Sequence, residues 1–369
     1  MTTLMHDAND PGGLPLPRVF GDYQLLALLA QGGMGTIFLA RRMGFRPDIQ
    51  RYCVVKTLGA RAARGDLLRR FQDEARVVVM LNHPGICHVF DVGIVDGAHY
   101  LAMELIEGVS VSGLQRALAT AGERLPPELA LAVIDAVLEA LDYAHDRRDP
   151  GSGQSLHIVH RDVSPQNVMA TFAGTVKLID FGLVTSALKT EQTIGGMVAG
   201  KLGYMSPEQA RGETLDARTD VYATAILLYE LLTGARCYGE LGKNAIMMHL
   251  TEGSWLPPLQ DVPEALRAPL AHALAPEPSG RTPSAAAFQA ELAAADRARA
   301  TPRELRMLLD RVVPDERDRL AHLMRGASVV GVTVPREVTR SVVTHLARSD
   351  EAPAPPDATL DSATSITVP

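Results

Sequence analysis

The chain has 369 residues, 46% of them apolar and 21% charged. That composition belongs to ordinary soluble globular proteins and excludes a wholly disordered or collagen-like chain. Acidic residues outnumber basic ones 43 to 36, a net charge of −7, which argues against nonspecific binding to nucleic acid. The length allows two domains, or one large domain built from two lobes. The longest apolar run, 221–232, is interrupted by Glu230 and too short to cross a bilayer. The opening MTTLMHDANDPGG lacks the basic and apolar regions of a secretion signal. The expected location is therefore the cytoplasm, without membrane contact. Three widely spaced cysteines, Cys53, Cys87 and Cys237, read as buried free thiols. Only five of the 36 basic residues are lysines: Lys56, Lys177, Lys189, Lys201 and Lys243. In a chain this rich in arginine, each lysine invites a question.

Residues 1–22 are rich in Pro, Gly and Asp and read as a flexible leader. Two apolar runs flank a glycine cluster within 23–42, the pattern of two strands and a tight turn. Residues 51–58 (RYCVVKTL) form a third strand. Over 67–81, Leu67, Phe71, Ala75, Val78 and Leu81 recur at helical spacing. Strands are expected near 86–92 and 99–104. Residues 127–145 form a long amphipathic helix with Glu128 in its first turn. Short strands are expected near 158–159 and 175–179, then a strongly apolar helix over 219–232 and further helices to about 295. A β-rich part followed by an α-rich part implies two lobes with a cleft between them. A helical extension over 296–348 and a disordered tail over 349–369 complete the chain.

Five features carry chemistry. Gln31-Gly32-Gly33-Met34-Gly35 lies between two strands, where glycines let backbone N–H groups approach a phosphate; a glycine-rich hairpin turn is the plainer reading. Lys56 sits on an apolar strand, sharing a face with Val54. It is either at a sheet edge or aimed at an anion in a cleft. Glu74 lies on or beside the apolar stripe of its helix, where burial would demand a cation. Lys56 is the natural partner, unless Glu74 reaches solvent. In His160-Arg161-Asp162-Val163-Ser164-Pro165-Gln166-Asn167, an Asp and an Asn five apart on a tight loop can share one site. The Asp can take a proton and the Asn amide oxygen can bind a hard cation. Finally, Asp180-Phe181-Gly182 ends a strand, placing an Asp to hold Mg²⁺ together with phosphate oxygens.

This order and spacing resemble the protein-kinase signature set. Over about 23–295 the chain is similar to bacterial eukaryotic-like (Hanks-type) serine/threonine protein kinases. Tyr204-Met205-Ser206-Pro207-Glu208 resembles the motif that ends the activation segment. Asp220 resembles the aspartate that braces the catalytic loop, and Arg281 the arginine that pairs with Glu208. The resemblance implies an α+β fold, with a small β-rich lobe carrying one main helix and a larger α-helical lobe. It implies ATP and Mg²⁺ as cofactors and proteins as substrates. Lys56, oriented by Glu74, would hold the α- and β-phosphates, with Gly32, Gly33 and Gly35 above them. Asp162 would be the catalytic base, and Asn167 and Asp180 the metal ligands. Adenine would lie near Leu29, Ile37, Val54, Met103 and Met169, with backbone groups of Glu104 and Ile106 on its edge. His160, Phe181, Val78 and Val89 would form an apolar column linking the lobes.

The chain departs from that pattern at four positions. Ala30 replaces the first loop glycine, and Val54 replaces a smaller alanine. Ser164 stands where most such kinases carry a lysine that holds the γ-phosphate, while Lys201 occupies a position usually held by threonine. An exchange of one lysine for the other is the sharper reading, a solvated Lys201 the plainer one. A catalytically impaired pseudokinase scaffold is the alternative that Ser164 invites. Lys56, Glu74, Asp162, Asn167 and Asp180 together speak against it. A small-molecule phosphotransferase is disfavoured by the long activation segment and the Glu208–Arg281 pair. Thr185, Ser186, Thr190 and Thr193 are candidate autophosphorylation sites, Thr190 and Thr193 foremost. Leu305, Leu308, Leu309, Val312 and Val313 form an apolar stripe in the extension. It either docks on the large lobe, which is slightly favoured, or receives a cytoplasmic partner.

Overall fold

The computed structural model describes residues 15–32, 35–44, 52–58, 75, 78–181, 202–239 and 241–329. Glu74, Gly33, Lys201, the threonines and serine of the activation segment and the 349–369 tail lie outside them.

The small lobe is one antiparallel sheet of six strands in the order β1-β2-β3-β4-β6-β5. These are β1 (Arg18–Phe20), β2 (Tyr23–Gly32), β3 (Gly35–Arg42), β4 (Tyr52–Leu58), β5 (Val89–Val95) and β6 (Ala98–Glu104). β1 lies inside the stretch expected to be a loose leader: RVF pairs back on β2, with Phe20 opposite Tyr23. One face of the sheet buries Phe20, Tyr23, Leu25, Phe38, Cys53, Val55 and Tyr100. Asp91 Oδ2 accepts hydrogen bonds from the Tyr23 and Tyr100 hydroxyls at 2.6 and 3.0 Å, so the polar tips of both rings are satisfied. The other face, including Leu101 and Met103, joins the main core. Of the helix expected over 67–81, the described residues Ala75, Val78 and Val79 are helical. Gly35 is required by packing as well as by its φ of +149°, since a Cβ there would sit 1.9 Å from the Thr57 carbonyl oxygen.

The larger lobe is helical: α1 (Val111–Ala121), α2 (Pro127–His145), α3 (Pro207–Arg211), α4 (Ala217–Thr233), α5 (Lys243–Glu252), α6 (Glu264–Ala273) and α7 (Ala285–Ala295). A second sheet, β7-β8-β9, lies at its top, with β7 (Gly108–Ser110), β8 (Val168–Thr171) and β9 (Val176–Leu178). α2 begins with Pro at its first turn and ends with His145, charges and shapes suited to its termini. α4 is buried on all sides, which marks a central core helix rather than an amphipathic one. Asp216 caps its start through the Arg218 amide, and Gly234, at φ +71°, ends it.

Two further expectations need correction. Residues 158–159 form no strand, although Ile158 and Val159 are buried. The strand expected from residue 86 begins at Val89, Ile86 contributing only an isolated bridge to Leu178. Beyond residue 300 the chain forms α8 (Pro302–Val312) and α9 (Pro314–Val329). Thr301 and Glu304 make a reciprocal capping box at the start of α8. Leu305, Leu308 and Leu309 are buried in the main core, so the stripe docks on the large lobe. Among the described residues no helix is long and apolar enough to cross a membrane.

Candidate active site

Asp220, in the first turn of α4, organises the loop between α2 and β8. Its carboxylate is fully buried and accepts from the backbone amides of His160 (2.7 Å) and Arg161 (2.8 Å) and from His145 Nε2 (2.8 Å). Burial alone would raise this carboxyl; the hydrogen bonds from the His145 side chain and the His160 amide hold it below the usual range. Arg161 adopts a left-handed backbone, φ +66°, a strain that the Asp220 bond offsets. Gln209 Nε2, from α3, donates to the Arg161 carbonyl at 2.9 Å.

The loop then turns its two polar side chains together. Asn167 Nδ2 donates to both the carbonyl and Oδ2 of Asp162, each at 2.8 Å. Its own Oδ1 is left for another partner. His160 Nε2 lies 3.0 Å from the Ile179 carbonyl and must donate there. Its Nδ1 therefore accepts the Asp162 N–H at 3.2 Å, which defines a neutral ring. Asn167 precedes β8 and Asp180 follows β9, and Ile179 N donates to Asn167 O at 2.9 Å. The register of the two strands thus sets both side chains at the same end of the small sheet.

Lys56 reaches this point from the other lobe. β4 lies between β3 and β6, so the edge reading of Lys56 is excluded. Lys56 is opposite Ile37, and Val54 is opposite Met103, all on one face. The lysine is 8% exposed, and its Nζ meets Asp180 Oδ1 at 2.7 Å. Asp180, like Arg161, has a positive φ, +59°. Phe181 is buried against His160, ring centroids 4.5 Å apart. With Val78, Cys87, Val89, Met103 and Asp180 it lines a small pocket behind the cleft. The four residues of the expected column, Val78, Val89, His160 and Phe181, are all buried. Leu29, Ile37, Val54, Ile106 and Met169 are half-buried along the same opening. The Glu104 amide is committed to His88 O at 3.0 Å, and its carbonyl accepts weakly from Cys87 Sγ at 3.9 Å with a second lone pair left for a ligand edge. Gly32 and Gly35 end β2 and open β3 as a directly opposed pair. Ser164 is completely buried, and its hydroxyl has no hydrogen-bond partner.

At the outer side of α4, Arg281 grips Glu208 through its two terminal nitrogens, Nη1 and Nη2, at 2.8 and 3.0 Å, and Thr219 adds a hydroxyl at 2.9 Å. Burial opposes ionisation of Glu208, but Arg281 wins and lowers its carboxyl. Several partners escaped the sequence reading. His145 offered only its place in a last helical turn. Lys177, whose Nζ lies 2.7 Å from Glu104 Oε1, was marked by the rarity of lysine. Gln209 gave no signal.

The protein kinase domain family matches residues 23–302. The chain is 36% identical over 291 residues to the tyrosine-protein kinase MasK of Myxococcus xanthus, covering 78% of this chain and 44% of that protein. It is 32% identical over 282 residues to the serine/threonine-protein kinase PrkC of Bacillus subtilis, covering 74% and 40%. It thus spans less than half the length of these two curated relatives. The solved kinase domain of Mycobacterium tuberculosis PknI is similar with a TM-score of 0.59 at 29% identity, covering 76% of this chain and 98% of that one. A family match over most of the chain, joined to this arrangement of lobes and cleft, has one consequence: the chain belongs to the protein kinase family, in its bacterial Hanks-type branch.

Proposed function

We propose that the chain transfers the γ-phosphate of ATP to Ser or Thr hydroxyls of proteins, in the cytoplasm. The observation that carries this reading is the convergence of Lys56, Asp162, Asn167 and Asp180 on one cleft. Among the described residues no three His, Cys, Asp or Glu side chains converge as a metal cage. One carboxylate and one amide oxygen suit Mg²⁺, which takes few protein ligands and completes its shell with phosphate oxygens and water. Asp180 and the uncommitted Asn167 Oδ1 would hold it, and the ion would neutralise charge developing on the phosphates.

Lys56 would hold the α- and β-phosphates, and the half-buried row of Leu29, Ile37, Val54 and Met169 would enclose the base. Asp162, oriented by Asn167, would accept the proton of the acceptor hydroxyl as its oxygen attacks the γ-phosphorus. The bond to the β-phosphate oxygen breaks and ADP leaves. Glu74 would orient Lys56. Lys201 would supply near the γ-phosphate the cation that Ser164 cannot; Lys201→Met should then lower kcat about 10²-fold, and near-normal turnover would leave it a surface residue. Autophosphorylation would fall on Thr190 or Thr193, docking on Arg161.

The test is incubation with labelled ATP, Mg²⁺ and a basic protein, followed by phosphoamino-acid analysis. Phosphoserine and phosphothreonine, reduced at least about 10²-fold by Asp162→Asn, are expected. Phosphotyrosine would favour a second reading, to which the similarity to a relative named as a tyrosine-protein kinase points. No transfer at all would leave the scaffold.

A further inference from the structure

α9 crosses from one lobe to the other. Arg317, Leu320 and Met324 recur on one face of this helix, about 10 Å from first to last at 1.5 Å per residue. At its start Arg317 Nη2 donates to the Phe172 carbonyl at 2.8 Å, and the guanidinium lies 5.0 Å above the Phe172 ring. Phe172 follows β8 of the large lobe, and its own N–H bonds Glu107, in the connection between the lobes, at 2.8 Å. Leu320 packs against the main core. Two turns on, the carbonyl of Met324 accepts the Tyr52 hydroxyl at 2.8 Å. Tyr52 opens β4, the strand that carries Lys56, and its neighbour Cys53 is opposite Glu104 at the connection.

The helix is anchored before it crosses. α8 buries three leucines in the large lobe, and Arg311 Nη2 binds Glu123 Oε2 at 2.7 Å. Asp310 holds Arg317 Nη1 at 2.8 Å. Gly174, at φ +87°, admits the chain closely: a Cβ there would lie 1.8 Å from the Pro302 carbonyl oxygen. One end of α9 is therefore fixed to the large lobe, and the other grips the small lobe at the first residue of β4.

We propose that α9 is a strap across the connection, holding the lobes in the closed arrangement in which Lys56 meets Asp180, with Tyr52 and Arg317 as positioning residues for nucleotide binding. The proposal deepens the reading of the cleft as an ATP site and rests on it for its kinetic consequence alone. A strap of this kind stabilises the closed cleft before nucleotide arrives, so its loss weakens nucleotide binding and leaves the chemistry of the bound complex nearly unchanged.

The test uses the full chain with Tyr52→Phe, Arg317→Ala, and both. Tyr52→Phe removes one hydroxyl and leaves the ring, so it keeps the fold. Spin labels on cysteines introduced at the exposed positions 96 and 264 report the distance between the lobes without nucleotide. The native thiols are buried and weakly ionised, Cys53 and Cys237 each pushed up to about 12 by burial, and do not compete for the label. The double variant is expected to shift this distribution to longer distances. It should raise the KM for ATP roughly fivefold or more, as for loss of a structural hydrogen bond, with kcat changed less than about twofold. Arg317→Lys should restore part of the difference. An unchanged distance distribution in the double variant overturns the strap, as does a lower melting temperature with an unchanged KM. If the native chain transfers no phosphate, the ATP reading falls and the distance measurement alone decides the strap.

Discussion

The two sides of the cleft are built on different terms. On the large-lobe side, Asp162 and Asn167 are fixed by a carboxylate that takes three hydrogen bonds inside the core. On the small-lobe side, Lys56 rides on a sheet and meets Asp180, whose side chain is a quarter exposed, across the opening. The first arrangement is part of the fold and exists whenever the large lobe is folded. The second exists only while the lobes are closed. Damage to the first should therefore register as lost stability and lost turnover together, and damage to the second as lost turnover alone.

Asp220→Asn gives the largest separation. The new amide keeps one acceptor oxygen but turns a donor either toward the Arg161 N–H or toward the His160 N–H and His145 Nε2, each of which the carboxylate accepted from. Disrupting so deeply buried a group costs about 3–5 kcal/mol. Urea unfolding should show that loss, and turnover should fall with it because the loop no longer presents Asp162. Wild-type stability in this variant would mean that the loop is held from elsewhere.

Lys56→Met tests the other side. Methionine fills nearly the same volume, and the ion pair it removes is partly exposed. Stability should change by less than about 1 kcal/mol. Phosphate transfer should fall about 10²- to 10³-fold, the usual loss for a charge that stabilises the transition state. A destabilisation matching that of Asp220→Asn would erase the distinction between the two sides.

What the sequence disclosed follows the same division. Local pattern located β2, β3 and β4, and the limits of α2 fell where its first-turn Pro127 and terminal His145 put them. Motif order brought Lys56, Asp162, Asn167 and Asp180 to one cleft. Glu74 and Lys201 lie outside the described residues. Non-local facts stayed hidden. Ile158 and Val159 have strand-like composition, but the backbone after them is satisfied by Asp220, 60 residues away, and no ladder forms. Alternation revealed which face of β4 carries Lys56, yet only strand order could show that β4 is central. The crossing of α9 depends on pairs such as Tyr52 and Met324, separated by 272 positions, and periodicity has no reach at that distance.

Two buried glutamates near α4 sharpen the comparison with a smaller effect. Glu208 is held by Arg281, and its carboxyl is lowered against the opposing pull of burial. Glu230 has no arginine bond: it accepts from the Tyr204 hydroxyl and, at 3.1 Å, from the Cys237 amide. Burial raises its carboxyl, and these two bonds offset the rise only in part. The signs are opposite. Glu208, like Asp220, contributes stability that is complete above the ordinary carboxylate value of about 4 and is lost as pH falls through its lowered value. Glu230 imposes a cost at neutral pH that is relieved as pH falls through its raised value. Glu230→Gln keeps an acceptor for one of the two donors and removes the titration. Its stability at pH 7 should lie within about 1 kcal/mol of wild type. Urea midpoints measured between pH 7 and pH 4 should show wild type gaining on the variant as acid is added, because only wild type has a charge to neutralise. Below pH 4 both should lose stability together, through Glu208 and Asp220. Parallel curves from pH 7 to pH 4 would mean that Glu230 is already protonated at neutrality, and that the core around α4 carries its charge only where arginine or histidine meets it.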